Sequence, residues 1–188
     1  VSFRLVERLV VIRRFAWCAA AIFIAWTAPA LAELKAGAAA PPFETRASLG
    51  GKVFDFDLHA ALARGPVVLY FYPAAFTSGC TLEAHDFASH IGDYAKLGAT
   101  VIGVSGDSIE TLNKFSVSEC RSKFAVASDA DHKISHAYDA TLGFGPATFS
   151  DRTSYVISRA GTVVYSYRSL DASRHVANTL AALAKLTK

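Results

Sequence analysis

In the stretch PAAFTSGCTLEAH, Pro73 to His85, a single cysteine stands where a loop turns into a helix, directly behind the apolar run VVLYFY. A cysteine attacks only as its thiolate, and an unperturbed thiol with a pKa near 8.5 is only about 3% ionised at pH 7. Bringing that value to about 6 takes roughly 3.4 kcal/mol of preference for the anion, at about 1.36 kcal/mol per unit. A helix N-terminus, with Thr77 or Ser78 in position to cap it, contributes about 0.3 to 1 kcal/mol when exposed and up to about 2 when partly buried. A guanidinium near 4 Å contributes up to about 4 kcal/mol at an effective dielectric of about 20. The chain is therefore expected to bring an arginine to Cys80. Arg152, behind a Gly/Pro loop and at the start of a strand, is the best placed, because α/β domains gather their sites at strand ends. Arg121, Arg159, Arg168 and Arg174 read as surface charges.

The elements that must position these residues follow from periodicity. Glu33 to Gly51 is Ala/Pro-rich and reads as an extended entry. Lys52 to Leu58 alternates as a half-buried strand with Phe54, Phe56 and Leu58 on one face, and Val67 to Tyr72 is a continuous β-branched and aromatic run suited to a central strand. Thr81 to Leu97 repeats its apolar residues at helical spacing and stops at Gly98, so the helix begins at or beside Cys80. Strands follow at Ala99 to Ser105 and Phe124 to Ala127, with helices at Ser108 to about Cys120 and Asp131 to Tyr138. The segment LGFGPATFSD reads as a loop, leading into a hairpin of Thr153 to Ser158 and Thr162 to Tyr167, and a final amphipathic helix spans about Asp171 to Leu186. Alternating strands and helices followed by a hairpin predict an α/β fold of thioredoxin-like type, with a central mixed β-sheet flanked by helices.

The chain has 188 residues, 52% hydrophobic and 19% charged, which bounds it to one globular domain. Residues 1–32 read as a signal peptide: Arg13 and Arg14 precede an apolar run that ends in Ala30-Leu31-Ala32. An uncleaved membrane anchor is the competing reading, since Phe15 to Ala32 is uncharged. Residues 33–188 then form the folded domain, periplasmic or secreted, or else anchored. From Glu33 onward 15 basic residues balance 15 acidic ones without a basic stripe, which argues against nucleic acid and anionic membrane surfaces as partners. With Cys18 in the leader, the domain keeps Cys80 and Cys120, which allow one disulfide; a structural staple stays open.

Pro73, Thr77 and Cys80 match the PxxxTxxC motif of peroxiredoxins. Together with VVLYFYP, CTLEAHDF, SDADHKISHAYD and DRTSYVIS, the chain resembles the peroxiredoxin Q, or bacterioferritin comigratory protein, branch of these AhpC/TSA-like enzymes, from about Leu34 to the last helix. The resemblance implies a thiol peroxidase of thioredoxin fold that reduces hydrogen peroxide and organic hydroperoxides. Cys80 is then the peroxidatic nucleophile and passes through a sulfenic acid. Thr77 holds the peroxide, Arg152 favours the thiolate and polarises the O–O bond, and Pro73 shields the sulfur. Backbone N–H groups near Gly79 and Cys80 stabilise developing charge. Glu83 matches the glutamate that bonds the arginine, with an exposed first-turn acid as the alternative. No metal, haem or flavin is required. The implied partners are a hydroperoxide and a thioredoxin-like or other thiol reductant, with a monomer or weak dimer as the working state.

Several positions depart from that pattern. His85 stands five residues after Cys80, where many members of the branch carry a resolving cysteine, and its polar neighbours place it on an exposed face. Cys120 is the remaining candidate for resolving Cys80, with a buried, inert thiol as the alternative. A disulfide needs Cα atoms within about 7 Å, so the first turn of the Cys80 helix is expected to unwind. Ser78 replaces a proline, and Phe76 at the pocket mouth suits bulkier or more apolar peroxides. His132 and His136 have the spacing of a metal clamp but no accompanying HExxH glutamate, and GxG at Gly143 and Gly145 lacks a dinucleotide context. His59, His90 and His175 read as surface residues, and Phe54, Phe56, Tyr70, Phe71 and Tyr72 as core. A thiol-disulfide oxidoreductase would need a CxxC that is absent; a non-catalytic thioredoxin-fold binding domain with a permanent Cys80–Cys120 staple is the other alternative.

Overall fold

The computed structural model describes residues 33–186, so the leader reading of residues 1–32 lies outside the described residues. Among the described residues fifteen elements follow one another, beginning with strands β1 (Glu44–Leu49) and β2 (Lys52–Asp57), helix α1 (Leu58–Arg64), strand β3 (Val67–Phe71) and the long helix α2 (Ser78–Lys96). Next come β4 (Thr100–Ser105), α3 (Ile109–Ser118), β5 (Ala125–Ser128) and α4 (Lys133–Ala137). The chain continues through β6 (Thr141–Phe144), β7 (Ala147–Ser150), β8 (Thr153–Ile157) and β9 (Val163–Arg168) to a 3-10 turn (Ala172–Arg174) and α5 (His175–Leu186).

Seven strands form one sheet in the order β2-β1-β5-β4-β3-β8-β9. The central strands β5, β4 and β3 run parallel, and β8 joins β3 antiparallel, so the sheet is mixed as expected. Burial on both faces explains why β3 is apolar throughout. Val68, Tyr70 and Tyr72 point to a core shared with Phe87 of α2, Phe115 of α3 and Val176 of α5. Val67, Leu69 and Phe71 point to the other core, closed by α1 and by Tyr138 after α4. Tyr70 stacks on Phe87 with centroids 4.3 Å apart, which seats α2 on the sheet. Gly103 in β4 makes room for that ring, since a Cβ there would lie 2.7 Å from Tyr70 Cζ.

Four expectations need correction. The extended entry contains β1, because Gly50 and Gly51, both at positive φ, turn the chain so that Ala47 pairs with Phe54 in an antiparallel ribbon. Leu58 starts α1 rather than ending β2, since the Asp57 side chain accepts from the His59 N–H at 2.7 Å and caps the helix. Phe54 is not core: it sits on an edge strand, 39% exposed, while Phe56 on the same strand is buried. The Gly/Pro loop folds as the small hairpin β6–β7, turning at Gly145.

Candidate active site

Helix α2 starts at Ser78, three residues earlier than its apolar spacing announces, with Thr77 at the N-cap. Thr77 does not cap through its side chain; its hydroxyl donates to the Ala74 carbonyl at 2.9 Å. The first rung of the helix runs from the Thr81 N–H to the Thr77 carbonyl, 2.9 Å. The N–H groups of Gly79 and Cys80 lie ahead of that rung and have no acceptor within the helix. Cys80 is 2% exposed, at the head of the helix.

The loop in front of it is tied to the next strand end. The Ala75 N–H donates to Asp107 Oδ2 at 2.7 Å, and Ser105 Oγ donates to the same oxygen. Phe76, at φ 64°, stands edge-on to Phe115 with centroids 5.2 Å apart and remains half-exposed. Pro73 is half-buried where the chain leaves β3.

Arg152 enters just before β8, the neighbour of β3. Its Nη2 is 3.4 Å from Cys80 Sγ, its Nη1 bonds Glu83 Oε2, and its Nε donates to the Leu170 carbonyl at 3.1 Å. Every branch of the planar fork is thus fixed, a geometry that an ammonium cannot reproduce. Gly79 completes the fit, because a Cβ there would lie 3.2 Å from Arg152 Nη2. Burial pulls the Arg152 pKa down, but Glu83 and Cys80 outweigh it and the net direction is up. Burial pushes the Glu83 carboxyl up to about 8 against the pull of Arg152. The exposed first-turn acid is therefore excluded: Glu83 is 1% exposed and faces inward.

Sequence reasoning overlooked His175. It was expected at the surface and is fully buried, with Nε2 3.0 Å from the Ser169 carbonyl and Nδ1 2.8 Å from Ser154 Oγ. Burial lowers its pKa to about 4, so the ring is neutral. The signal was present: His175, Thr179 and Leu183 recur every four residues, and all three are buried. The Leu170 carbonyl and Asp107 had no comparable signal, since both act through the folded loops.

Cys120 lies two residues past the end of α3 and is fully buried, in the same apolar cluster as Cys80, Tyr70 and Tyr72. Both cysteines are free thiols in this structure. Burial pushes the Cys120 thiol well above its ordinary value, and Glu119 beside it adds to the effect. His85 is not simply exposed: its Nε2 pairs with Glu119 Oε2 at 2.9 Å, tying α2 to the residue next to Cys120. Arg168, read as a surface charge, pairs with the buried Asp151. His132 sits at the start of α4 with its ring over Gly106; it and His136 line a surface cleft with Asp131 and Lys133.

Residues 36–166 match the sequence model of the AhpC/TSA family. The chain is 34% identical over 126 residues to peroxiredoxin Bcp of Bacillus subtilis, covering 65% of this chain and 80% of that protein. Among solved structures it resembles peroxidoxin BcpB of Mycobacterium tuberculosis, with a TM-score of 0.74, 29% identity, and coverage of 81% of this chain and 98% of that one. It also resembles the Xanthomonas campestris bacterioferritin comigratory protein described for alkyl peroxide reduction activity, with a TM-score of 0.67, 30% identity, and coverage of 76% and 92%.

Proposed function

This chain belongs to the AhpC/TSA family, and on that premise we propose that it is a peroxiredoxin, a thiol peroxidase in which Cys80 reduces hydrogen peroxide and organic hydroperoxides. The observation that carries the reading is the fork of Arg152, with one nitrogen on Cys80 Sγ and the other on Glu83. The guanidinium favours the thiolate by direct charge and is positioned to polarise a peroxide arriving at the sulfur. The Thr77 hydroxyl has its proton committed to Ala74, so it meets a hydroperoxide as an acceptor and orients the O–H. Sγ attacks the terminal oxygen as the thiolate, the S–O bond forms as the O–O bond breaks, and the departing alkoxide or hydroxide takes a proton from water. The free N–H groups at the head of α2 receive the charge as it develops. Cys80 is left as a sulfenic acid.

Recycling then requires a thiol. Cys120 is the candidate within the chain: its thiolate displaces water from the sulfenic acid, and a thioredoxin-like donor reduces the resulting disulfide. Both sulfurs are buried, and on this reading the head of α2 and the end of α3 open to let them meet and to admit the donor. The alternatives of an oxidoreductase or a binding domain are not favoured, because the family match and the Arg152 contact both point to peroxide chemistry. The likeness to the Xanthomonas campestris protein favours alkyl hydroperoxides as substrates. The Arg13-Arg14 and Ala-Leu-Ala signals of the leader support export, to the periplasm or beyond, or membrane anchoring if the leader stays.

The test is to reduce the protein, add one equivalent of hydrogen peroxide, block free thiols within seconds and map the cysteines by non-reducing peptide mass spectrometry. A Cys80–Cys120 bond that thioredoxin reopens supports a two-cysteine cycle. Cys80 trapped as sulfenic or sulfinic acid beside a free Cys120 makes it a one-cysteine enzyme. Two untouched thiols end the peroxidase reading.

A further inference from the structure

The peroxide chemistry leaves one buried polar chain unused. Arg152 engages Oε2 of Glu83, but the other oxygen, Oε1, is buried without a hydrogen-bond partner and lies 3.6 Å from His175 Nδ1. Neither side chain reaches solvent. The Ser169 carbonyl beside Nε2 can only accept, so Nε2 carries the ring proton and Nδ1 is a lone pair that takes the Ser154 hydroxyl proton. Nδ1 has a single lone pair, taken up by the Ser154 hydroxyl, so while Glu83 is ionised the ring offers Oε1 no proton. Once Oε1 is protonated, its O–H can replace the Ser154 hydroxyl at Nδ1, provided the 3.6 Å gap closes by about half an ångström or more.

We propose that His175 is a positioning residue for Cys80: its Nδ1 accepts the proton of neutral Glu83, which releases the charge of Arg152 to the Cys80 thiolate. Balance follows from the three groups together. In one state Arg152 is countered by ionised Glu83 while Cys80 is a thiol; in the other it is countered by the thiolate while Glu83 is an acid. One proton leaves Sγ, one binds Oε1, and the net charge of the cluster stays at zero. A buried site avoids two anions on one cation. Burial acts on both groups to keep the proton on Glu83 rather than on the imidazole. The other ionisable groups that bear on the pair are Asp86 on α2, Asp151 before β8 and Asp171 before α5, together with Tyr70 and Tyr94. The ring of Tyr167 packs against His175. The purpose assigned to this pair rests on the peroxidase reading, whereas its test uses no peroxide.

The experiment measures iodoacetamide alkylation of Cys80 against pH, read on its own peptide by mass spectrometry. His175→Gln keeps a donor for the Ser169 carbonyl and removes the acceptor at Nδ1. It is expected to raise the pH midpoint and slow alkylation below it by about 3- to 10-fold, the factor for one ordinary hydrogen bond. His175→Asn places an oxygen near Nδ1 and is expected to recover most of that loss, which a merely structural role for the ring would not produce. Ser154→Ala removes the competing hydroxyl and is expected to lower the midpoint. A His175→Gln midpoint equal to wild type, or the Gln and Ala variants shifting the same way, overturns the inference. If His175→Gln does not fold, Ser154→Ala decides alone, and a midpoint that is not lowered overturns it. If the shifts appear but the wild-type protein consumes no peroxide, the peroxidase reading has failed and the coupling stands.

Discussion

Arg152 Nη2 lies 3.4 Å from Cys80 Sγ although 72 residues separate them in the chain. The contact exists because β3, which delivers Cys80, and β8, which Arg152 precedes, are neighbours in the sheet. Arg152→Met is expected to slow the reaction of Cys80 with hydrogen peroxide by up to about 10³-fold, the ceiling set by roughly 4 kcal/mol from a guanidinium at that range. Arg152→Lys should recover only part, because a point charge cannot hold Sγ and Glu83 together. Stopped-flow rates for the two variants check this; a lysine variant as fast as wild type would contradict the fork.

Gly79 offers a separation of stability from activity. Alanine there is up to about 1 kcal/mol better than glycine as a helix former, but its Cβ would press on Arg152 Nη2 from 3.2 Å. Because Arg152 is held on every branch, Gly79→Ala should gain no more than about 1 kcal/mol of stability while reacting with peroxide several-fold more slowly. Calorimetry and the peroxide rate, measured on one preparation, check both halves.

The pH dependence of stability carries two opposed contributions. His175 is held at about 4, below its ordinary value near 6.5, so its contribution is present above pH 6.5 and is lost as pH falls toward 4. At about 1.4 kcal/mol per pH unit that loss is on the order of 3 kcal/mol. Glu83 is raised to about 8, so its contribution is present below its ordinary value near 4.5 and is lost as pH rises toward 8. The two cancel between about pH 4.5 and 6.5, so urea unfolding should show wild type nearly level there and falling above pH 6.5, whereas His175→Gln should fall from about pH 4.5 onward. Glu83→Gln should flatten the alkaline side.

His85 and Glu119 bridge α2 to the residue beside Cys120 at 2.9 Å, and both are partly exposed. A pair of this kind is worth about 0.2 to 1 kcal/mol. Removing it in His85→Ala should ease the local opening and speed any Cys80–Cys120 disulfide formation by about 1.5- to 5-fold. Rapid-quench mapping of the oxidised protein reads that rate. An unchanged rate would mean that opening is limited elsewhere.

Cys80 and Arg152 were legible because thiolate chemistry demands a helix head and a cation, and few positions supply both. The central strands were legible because two-sided burial leaves an unbroken apolar run. The hairpin β6–β7 was not, since its two four-residue strands are largely exposed and flank the Gly145-Pro146 of an ordinary loop. His175 was missed for a different reason: a histidine at the head of a helix suggests solvent, and only its register with Thr179 and Leu183 points inward. The orphaned oxygen of Glu83 has no trace in the sequence, because it arises from where α2 and α5 meet.

The far half of α2 is held differently from its head. Tyr94 Oη reaches Thr179 Oγ1 at 2.7 Å and donates to the Val176 carbonyl at 3.2 Å, both on α5. The helix is thus a bar clamped at one end with its reactive tip at the other. If the head of the helix opens at the Thr81 to Thr77 rung during turnover, this clamp sets the stop, and the sulfur would swing through a short arc and return to the same socket. A clamp of this kind would make the catalyst's reset a matter of mechanics rather than of refolding.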